Sequence, residues 1–270
     1  GPDTGVTRVD FYLDDPGALG APIHGERLAP YDFVNTLPDG MAASYDSAQL
    51  ADGVHTISAR VTLAAGGEEL LVATFSVATV ALPLLDDFAD GSADGWVIRD
   101  DSGSPSSWNA AGGVLEQRNL VGAIGPALDG GYHRGTYAYL AAGAGLSDYR
   151  FTVRITSLSA EGHDAGVMFR YRDNDNYYRL LSNARRGLTL LEKKVGGRYQ
   201  TLAKNARALL PGRTVTVTVH AIGDRLLVYL DGEPLFSAVD TDLPWGTVAL
   251  YARDHALFDD VAVEADPGDP

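Results

Sequence analysis

The residues best equipped for chemistry lie in two stretches, Gly166 to Lys194 and Thr247 to His255. In the first, Arg170, Tyr177, Arg179 and Lys193 interrupt alternating apolar residues; in the second, Tyr251, Arg253 and His255 do so. A guanidinium donates paired in-plane hydrogen bonds, and a tyrosine ring is a flat amphipathic platform. Together such groups suit a hydroxylated or acidic ligand, a polysaccharide or oligosaccharide above all, and these seven residues form the candidate ligand-binding set. Tyr177 and Tyr178 point to opposite sides of a strand. Tyr177 shares the parity of Arg179 and is preferred, although the sequence does not decide which of the two is core. Between Arg170 and Arg213 the bases Arg172, Arg185, Arg186, Lys194, Arg198, Lys204 and Arg207 face only Asp173, Asp175 and Glu192 as acids. Beyond Lys193 the basic residues read as a solvated strand face.

Acidic pairs open and close the larger half of the chain. Asp86 and Asp87 stand near its start, Asp259 and Asp260 near its end. If the first and last strands are neighbours, these carboxylates converge on a hard cation, and calcium, which takes six to eight oxygens, is the expected ion, with Asp87 and Asp259 its best ligands. Asp173-Asn174-Asp175-Asn176 has the alternating oxygens of a calcium loop without its glycine and distant glutamate, and reads as a polar turn. His24, His55, His133, His163, His220 and His255 are scattered, and His55 reads as a strand-start residue. No nucleophile elbow or phosphate loop is present. Glu116, Glu192 and Glu233 stand singly, so no strand carries the closely spaced carboxylate pair of a retaining glycosidase.

The elements that must hold these residues are strands. Gly166 to Arg172 and Tyr177 to Leu181 form a hairpin in which Val167, Phe169 and Tyr171 face a core and Met168, Arg170 and Arg172 face outward. In Thr247 to Arg253, Val248, Leu250 and Ala252 point inward, leaving Tyr251 and Arg253 on the other face. Further strands are expected over Val114 to Glu116, Thr136 to Leu140, Tyr149 to Ile155, Leu188 to Lys194, Val215 to Ile222, Arg225 to Leu230, Glu233 to Val239 and Phe258 to Val263. Asp231-Gly232 makes a two-residue hairpin turn. Only Asn205 to Leu210 has helical character, stopped by Pro211-Gly212. Before residue 83 the expected strands are Val6 to Leu13, Tyr31 to Asn35, Met41 to Tyr45, Thr56 to Leu63 and Glu69 to Val77. Trp96, Trp108 and Trp245 read equally as core or as platform.

Composition bounds the rest. With 270 residues, 45% of them hydrophobic, the chain is long enough for two cores. It has no cysteine, which excludes disulfides and thiolate metal sites. A net charge of -15 argues against nucleic acid and anionic membranes as partners. No apolar run approaches the roughly 18 residues of a membrane span. Gly1-Pro2 has the look of a protease scar, and residues 266–270 of a linker start, so flanking domains of a longer parent chain are expected.

Two resemblances complete the reading. Val9-Asp10-Phe11-Tyr12-Leu13, Pro30-Tyr31-Asp32-Phe33 and Leu50-Ala51-Asp52-Gly53-Val54-His55-Thr56-Ile57 resemble bacterial immunoglobulin-like spacer domains, which implies a small sandwich over residues 1–82. Asp86-Asp87-Phe88, Gly95-Trp96, Gly166 to Leu180, Val228 to Phe236 and Phe258 to Val263 resemble concanavalin-A-like jelly rolls, nearest to laminin-G-like carbohydrate-binding modules, over residues 83–265. The resemblance implies an all-β chain, a structural calcium at the Asp86 and Asp259 junction, and location in a secreted or cell-surface bacterial protein. It implies non-catalytic polysaccharide binding, of acidic glycans given the arginines. The alternatives are a glycan-active enzyme, a glycosidase or one resembling 3-keto-glycoside hydrolases, and an adhesive protein-interaction module.

Overall fold

Alternating β-branched and aromatic runs, cut by Gly, Pro, Asn and Asp, leave this chain little to form but strands. The computed structural model describes residues 5–34, 45, 50–51, 53–77, 81–100, 105–121 and 135–266, and among them there is no α-helix. Two units, Gly1–Thr79 and Val80–Pro270, divide just ahead of Ala81-Leu82-Pro83.

In the first unit, β1 (Val6–Leu13), β2 (His24–Glu26), β3 (Gly53–Leu63) and β4 (Glu68–Val77) form an antiparallel sheet in the order β2-β1-β3-β4. Val9, Phe11 and Tyr12 of β1 are buried, and Phe33 packs edge-on against Phe11. Residues 31–34 are irregular rather than a strand, while Asn35 and residues 41–44 lie outside the described residues. A second sheet, which an immunoglobulin-like sandwich requires, has no strand among the described residues. His55 does more than open a strand. Its Nδ1 lies 2.7 Å from Asp14 Oδ2 and its Nε2 lies 2.7 Å from the Ala51 carbonyl oxygen, so both ring nitrogens face acceptors.

The second unit is a two-layer sandwich. Its strands are β5 (Leu84–Asp86), β6 (Trp96–Asp100), β7 (Trp108–Ala110), β8 (Leu115–Gln117), β9 (Thr136–Leu140), β10 (Tyr149–Ser157), β11 (Ala165–Asp173) and β12 (Asn176–Asn183). They continue with β13 (Leu188–Val195), β14 (Arg198–Asn205), β15 (Thr214–Ile222), β16 (Arg225–Leu230), β17 (Glu233–Val239), β18 (Thr247–Ala252) and β19 (Ala256–Ala265). One sheet runs β17-β16-β15-β10-β19-β8-β7 with β5 also on β19; the other runs β14-β13-β12-β11-β18-β9-β6. Phe151, Val153 and Ile155 of β10 and Val217, Val219 and Ala221 of β15 meet Val167, Phe169, Leu180, Val248 and Leu250 of the facing sheet in the core. First and last strands do pair, Asp86 opposite Val261.

The central strands of the seven-stranded sheet, β11, β12 and β18, are buried on both sides. Tyr137, Met168, Tyr171, Tyr177, Leu181, Ala249 and Tyr251 form a second cluster on the face turned away from the core. Tyr178, with Val167 and Phe169, belongs to the core and Tyr177 to the opposite face, which settles what the sequence left open. Tyr171 and Arg170 do not follow the alternation. Between Phe169 and Asp173 the register shifts, and Arg170 adopts φ 45°. This bulge carries Tyr171 over to the Met168 face. Asn205 to Leu210 forms no helix: Asn205 ends β14, a polar edge strand whose register breaks beside Ala203 and Thr201, which hid its period. Of the four three-residue strands only β8 coincides with an expected strand; β2, β5 and β7 are too short to show alternation, and the five-residue β6 is also unanticipated.

Gly246 locks the bulge. Its φ is +146°, and a Cβ there would lie 2.6 Å from the Arg170 carbonyl oxygen. Gly246→Ala is therefore expected to cost about 2 kcal/mol or more in urea unfolding; a stability within a few tenths of wild type would show that the bulge relaxes freely. In the first unit, the Ala51 carbonyl and then Asp14 raise the His55 pKa above 6.5. A raised folded pKa gives stability that is complete below the unfolded value and lost as pH rises through the folded one. Thermal unfolding of wild type is expected to lose this contribution on going from mildly acid to alkaline pH, and His55→Gln to flatten that slope; parallel pH profiles would contradict it.

Candidate functional site

At the centre of the outward face of the seven-stranded sheet stands Arg179, fully buried, opposite Met168 on β11 and Glu192 on β13. Its Nε and Nη2 donate to Glu192 Oε1 at 2.8 and 2.5 Å. The guanidinium also lies 4.6 Å from the Tyr251 ring centroid, 5.5 Å from that of Tyr199 and 5.8 Å from that of Tyr177. The Tyr177 and Tyr199 hydroxyls bond at 2.9 Å, and Tyr171 stacks on both Tyr139 and Tyr177. Tyr177, Arg179 and Tyr251 are thus brought together, in a packed cluster in which their exposure is 1% or less.

The remaining four of the seven residues go elsewhere. Arg170, also fully buried, donates from Nη1 to the Leu243 carbonyl and from Nη2 to the Ser147 carbonyl, while its backbone N–H donates to the Tyr149 hydroxyl. It braces the bulge rather than a ligand surface. Lys193 lies on the core side of β13, opposite Tyr178, where Nζ reaches Asp240 and Asp242 at 2.5 Å each. Burial opposes its charge, but those two carboxylates outweigh it and raise its pKa. His255 turns to Glu116 of β8, at 2.8 Å, in the other sheet. Arg253 stays on the Tyr251 side, at the far end, 4.0 Å from the buried carboxylate of Asp164.

Two hollows flank the buried cluster. The larger, about 740 Å³, lies at the β11–β12 turn and is lined by Arg99, Tyr139, Tyr171, Arg172, Asp175 and Trp245 among others. Trp245 is 39% exposed, and the Arg172 guanidinium sits 3.9 Å from its ring centroid while Nε donates to the Trp245 carbonyl. Asn174 in the turn accepts from the Tyr137 and Tyr171 hydroxyls. Asp173 Oδ1 accepts from Asp175 N and Asn176 Nδ2, the bonding of a polar turn. Trp245, Arg172, Arg99, Tyr139 and Tyr199 were outside the candidate set. Arg172 and Trp245 sit far apart in sequence and meet only through the β18 pairing of β11, so no local signal joined them.

The smaller hollow, about 380 Å³, is lined by His163, Asn183, Arg185, Arg186 and Arg253. Beside it, Asp164 is 2% exposed; its Oδ1 accepts from Asn183 Nδ2 at 2.5 Å and burial raises its pKa.

The aspartates expected to hold calcium do not assemble into a cage. Asp86, Asp87 and Asp260 line one shallow depression. Asp86, however, accepts from Phe88 N and from Trp96 Nε1, and Asp259 and Asp260 flank Arg154, at 3.6 and 3.0 Å. No group of three or more His, Cys, Asp or Glu side chains placed to hold a metal occurs among the described residues. His133 lies outside them.

These features define an all-β sandwich of the jelly-roll kind. Residues 84–264 match the family described as the 3-keto-alpha-glucoside-1,2-lyase-like domain, and the chain belongs to that family. Among solved structures it resembles the carbohydrate-binding module CBM66 from Bacillus subtilis, at 21% identity and TM-score 0.52 over 63% of this chain and 96% of that one. A Bacillus subtilis protein of unknown function with a galectin-like fold matches at 10% identity and TM-score 0.52, over 67% of this chain and 94% of that one. A native glycosidic hydrolase matches at 12% identity and TM-score 0.50, over 72% of this chain and 100% of that one. No curated protein matches the chain.

The Arg179–Glu192 pair gives a direct test of how the cluster is held. Glu192→Gln removes the carboxylate while Arg179 stays buried, and the expected loss in urea unfolding is about 3 kcal/mol. Joint replacement, Arg179→Met with Glu192→Leu, should recover most of it. Equal losses in the single and double variants would mean that the charge is not the cause.

Proposed function

We propose that this chain binds a saccharide, without turning it over, in the hollow beside Trp245. One observation carries the reading: a partly exposed indole, held flat by the Arg172 guanidinium, borders a hollow that also presents tyrosine, arginine and carboxylate groups. A sugar ring has an apolar face for the indole and an equatorial rim of hydroxyls for the polar groups, and a hollow of about 740 Å³ is within the usual range for small-ligand sites. The jelly-roll fold and its carbohydrate-related neighbours support the same ligand class. The reading extends to an accessory region of a secreted or cell-surface bacterial protein with flanking domains, and to acidic glycans as preferred ligands.

A second reading, glycan-active catalysis, draws on the family, which is lyase-like by description. Asp164 favours it too, since burial holds that carboxyl toward its protonated form. Against it, Glu192 is committed to Arg179.

Calorimetric titration with neutral and acidic oligosaccharides separates the readings. Binding without product formation is expected, and Trp245→Ala should weaken it at least about tenfold. Absence of binding to every glycan tried, or unchanged affinity in the variant, would overturn the proposal. Release of sugar products would move the chain to the second reading.

A further inference from the structure

An open sheet edge presents a row of unpaired N–H and C=O groups, and proteins blunt such edges by brevity, charge, proline or a bulge. Most of the strands that end their sheets here are guarded in one of these ways. β2, β5 and β7 have three residues each, and β6 ends in Arg99 and Asp100. β14 carries Arg198 and Lys204 and pairs with β13 through a register shift, and β17 carries Pro234 beside another shift.

β4 is different. Its ten residues pair with β3 in unbroken register, from Val77 opposite Gly53 to Glu68 opposite Thr62. It has no lysine, arginine or proline, and its charges, Glu68 and Glu69, are confined to its first two positions. Directly after them Leu70, Leu71 and Val72 are 44%, 58% and 51% exposed. Successive residues point to opposite faces, so this edge is apolar on both. Among the described residues no strand pairs with its outer side.

A strand that fits here must be apolar on both faces and must keep acids away from Glu68 and Glu69. β4 of a second copy meets both conditions. Antiparallel pairing about a two-fold axis at Val72 or Ala73 sets the glutamates of each copy against the uncharged Phe75 end of the other, and brings the two Leu70 to Thr74 stretches together. Parallel pairing would instead place the glutamates of the two copies side by side, which is unfavourable.

We infer that β4 is a self-association edge, through which two copies of this chain join by antiparallel β4–β4 pairing into one continuous sheet. The contact is isologous and closes on itself. One strand pair is a small interface and each chain carries a net charge of -15, so the dimer is weak and is favoured by salt, which screens the repulsion between copies. None of this depends on the saccharide reading.

Sedimentation equilibrium of the full chain, from micromolar to near-millimolar concentration at low and high salt, measures the association, and hydrogen exchange locates it. A monomer–dimer equilibrium that tightens with salt is expected, with alternate β4 amides, those turned away from β3, exchanging more slowly as concentration rises. Val72→Lys should weaken the dimer at least about tenfold. Val239→Lys, the same charge change at an exposed position of β17, should leave it within about twofold. Both side chains are exposed, so both variants should fold. A chain that stays monomeric throughout would overturn the proposal and leave the edge to a different strand. Dimers that Val72→Lys does not weaken, or whose β4 amides exchange no more slowly, would place the association elsewhere and overturn it as well.

Discussion

A permanently charged guanidinium with no exposure is the constraint around which the seven-stranded sheet is arranged. Arginine cannot shed its proton to escape burial, so Arg179 must be balanced where it stands, by Glu192 at 2.5 Å and by the faces of three tyrosines. That requirement fixes the register of β12 against β13 and turns the outer face of the sheet into a packed layer. A sheet whose central strands are buried on both sides cannot meet a ligand at its middle. Whatever it binds must meet it at the ends, and the two hollows are there.

The bulge at Arg170 decides what the first of those ends contains. Had β11 continued its alternation, Tyr171 would have joined Phe169 in the core and Arg170 would have faced out. Instead one residue at φ 45° places Tyr171 under the hollow and sends the Arg170 guanidinium among backbone carbonyls. Gly246 is the partner that permits it, because nothing with a Cβ fits against the Arg170 carbonyl. Backbone geometry, rather than the choice of side chains, thus sets which aromatic rings line the site.

Much of this was legible in the residues. Alternation located β1, β9, β16 and β17 to the residue and gave the faces of Tyr177, Arg179, Tyr251 and Arg253, because a period of two survives wherever a strand is regular. It failed where the period is broken or too short to see, at the Arg170 bulge, in β14 and in the three-residue strands β2, β5 and β7, and it also missed the five-residue β6. Burial was misjudged for a different reason. Arginine and lysine are read as surface residues by default, yet Arg170, Arg179 and Lys193 are each enclosed with partners, and those partners, Leu243, Glu192 and Asp240, declare themselves only after folding. The same holds for Trp245 and Arg172, whose stack joins elements with no sequence pattern in common.

Lys193 has a mechanical meaning as well. Apolar layers attract without direction, and on their own they permit one sheet to slide or rotate over the other. Lys193, on β13, is held by Asp240 and Asp242, which follow β17, and Asp240 also accepts from the Tyr178 hydroxyl of β12 at 2.6 Å. This is a directional rivet between the layers, set near the margin where β14 and β17 form their edges. It removes the sliding freedom that a purely greasy interface would leave, and so fixes how the strands that carry Tyr178 and Lys193 sit over the facing layer.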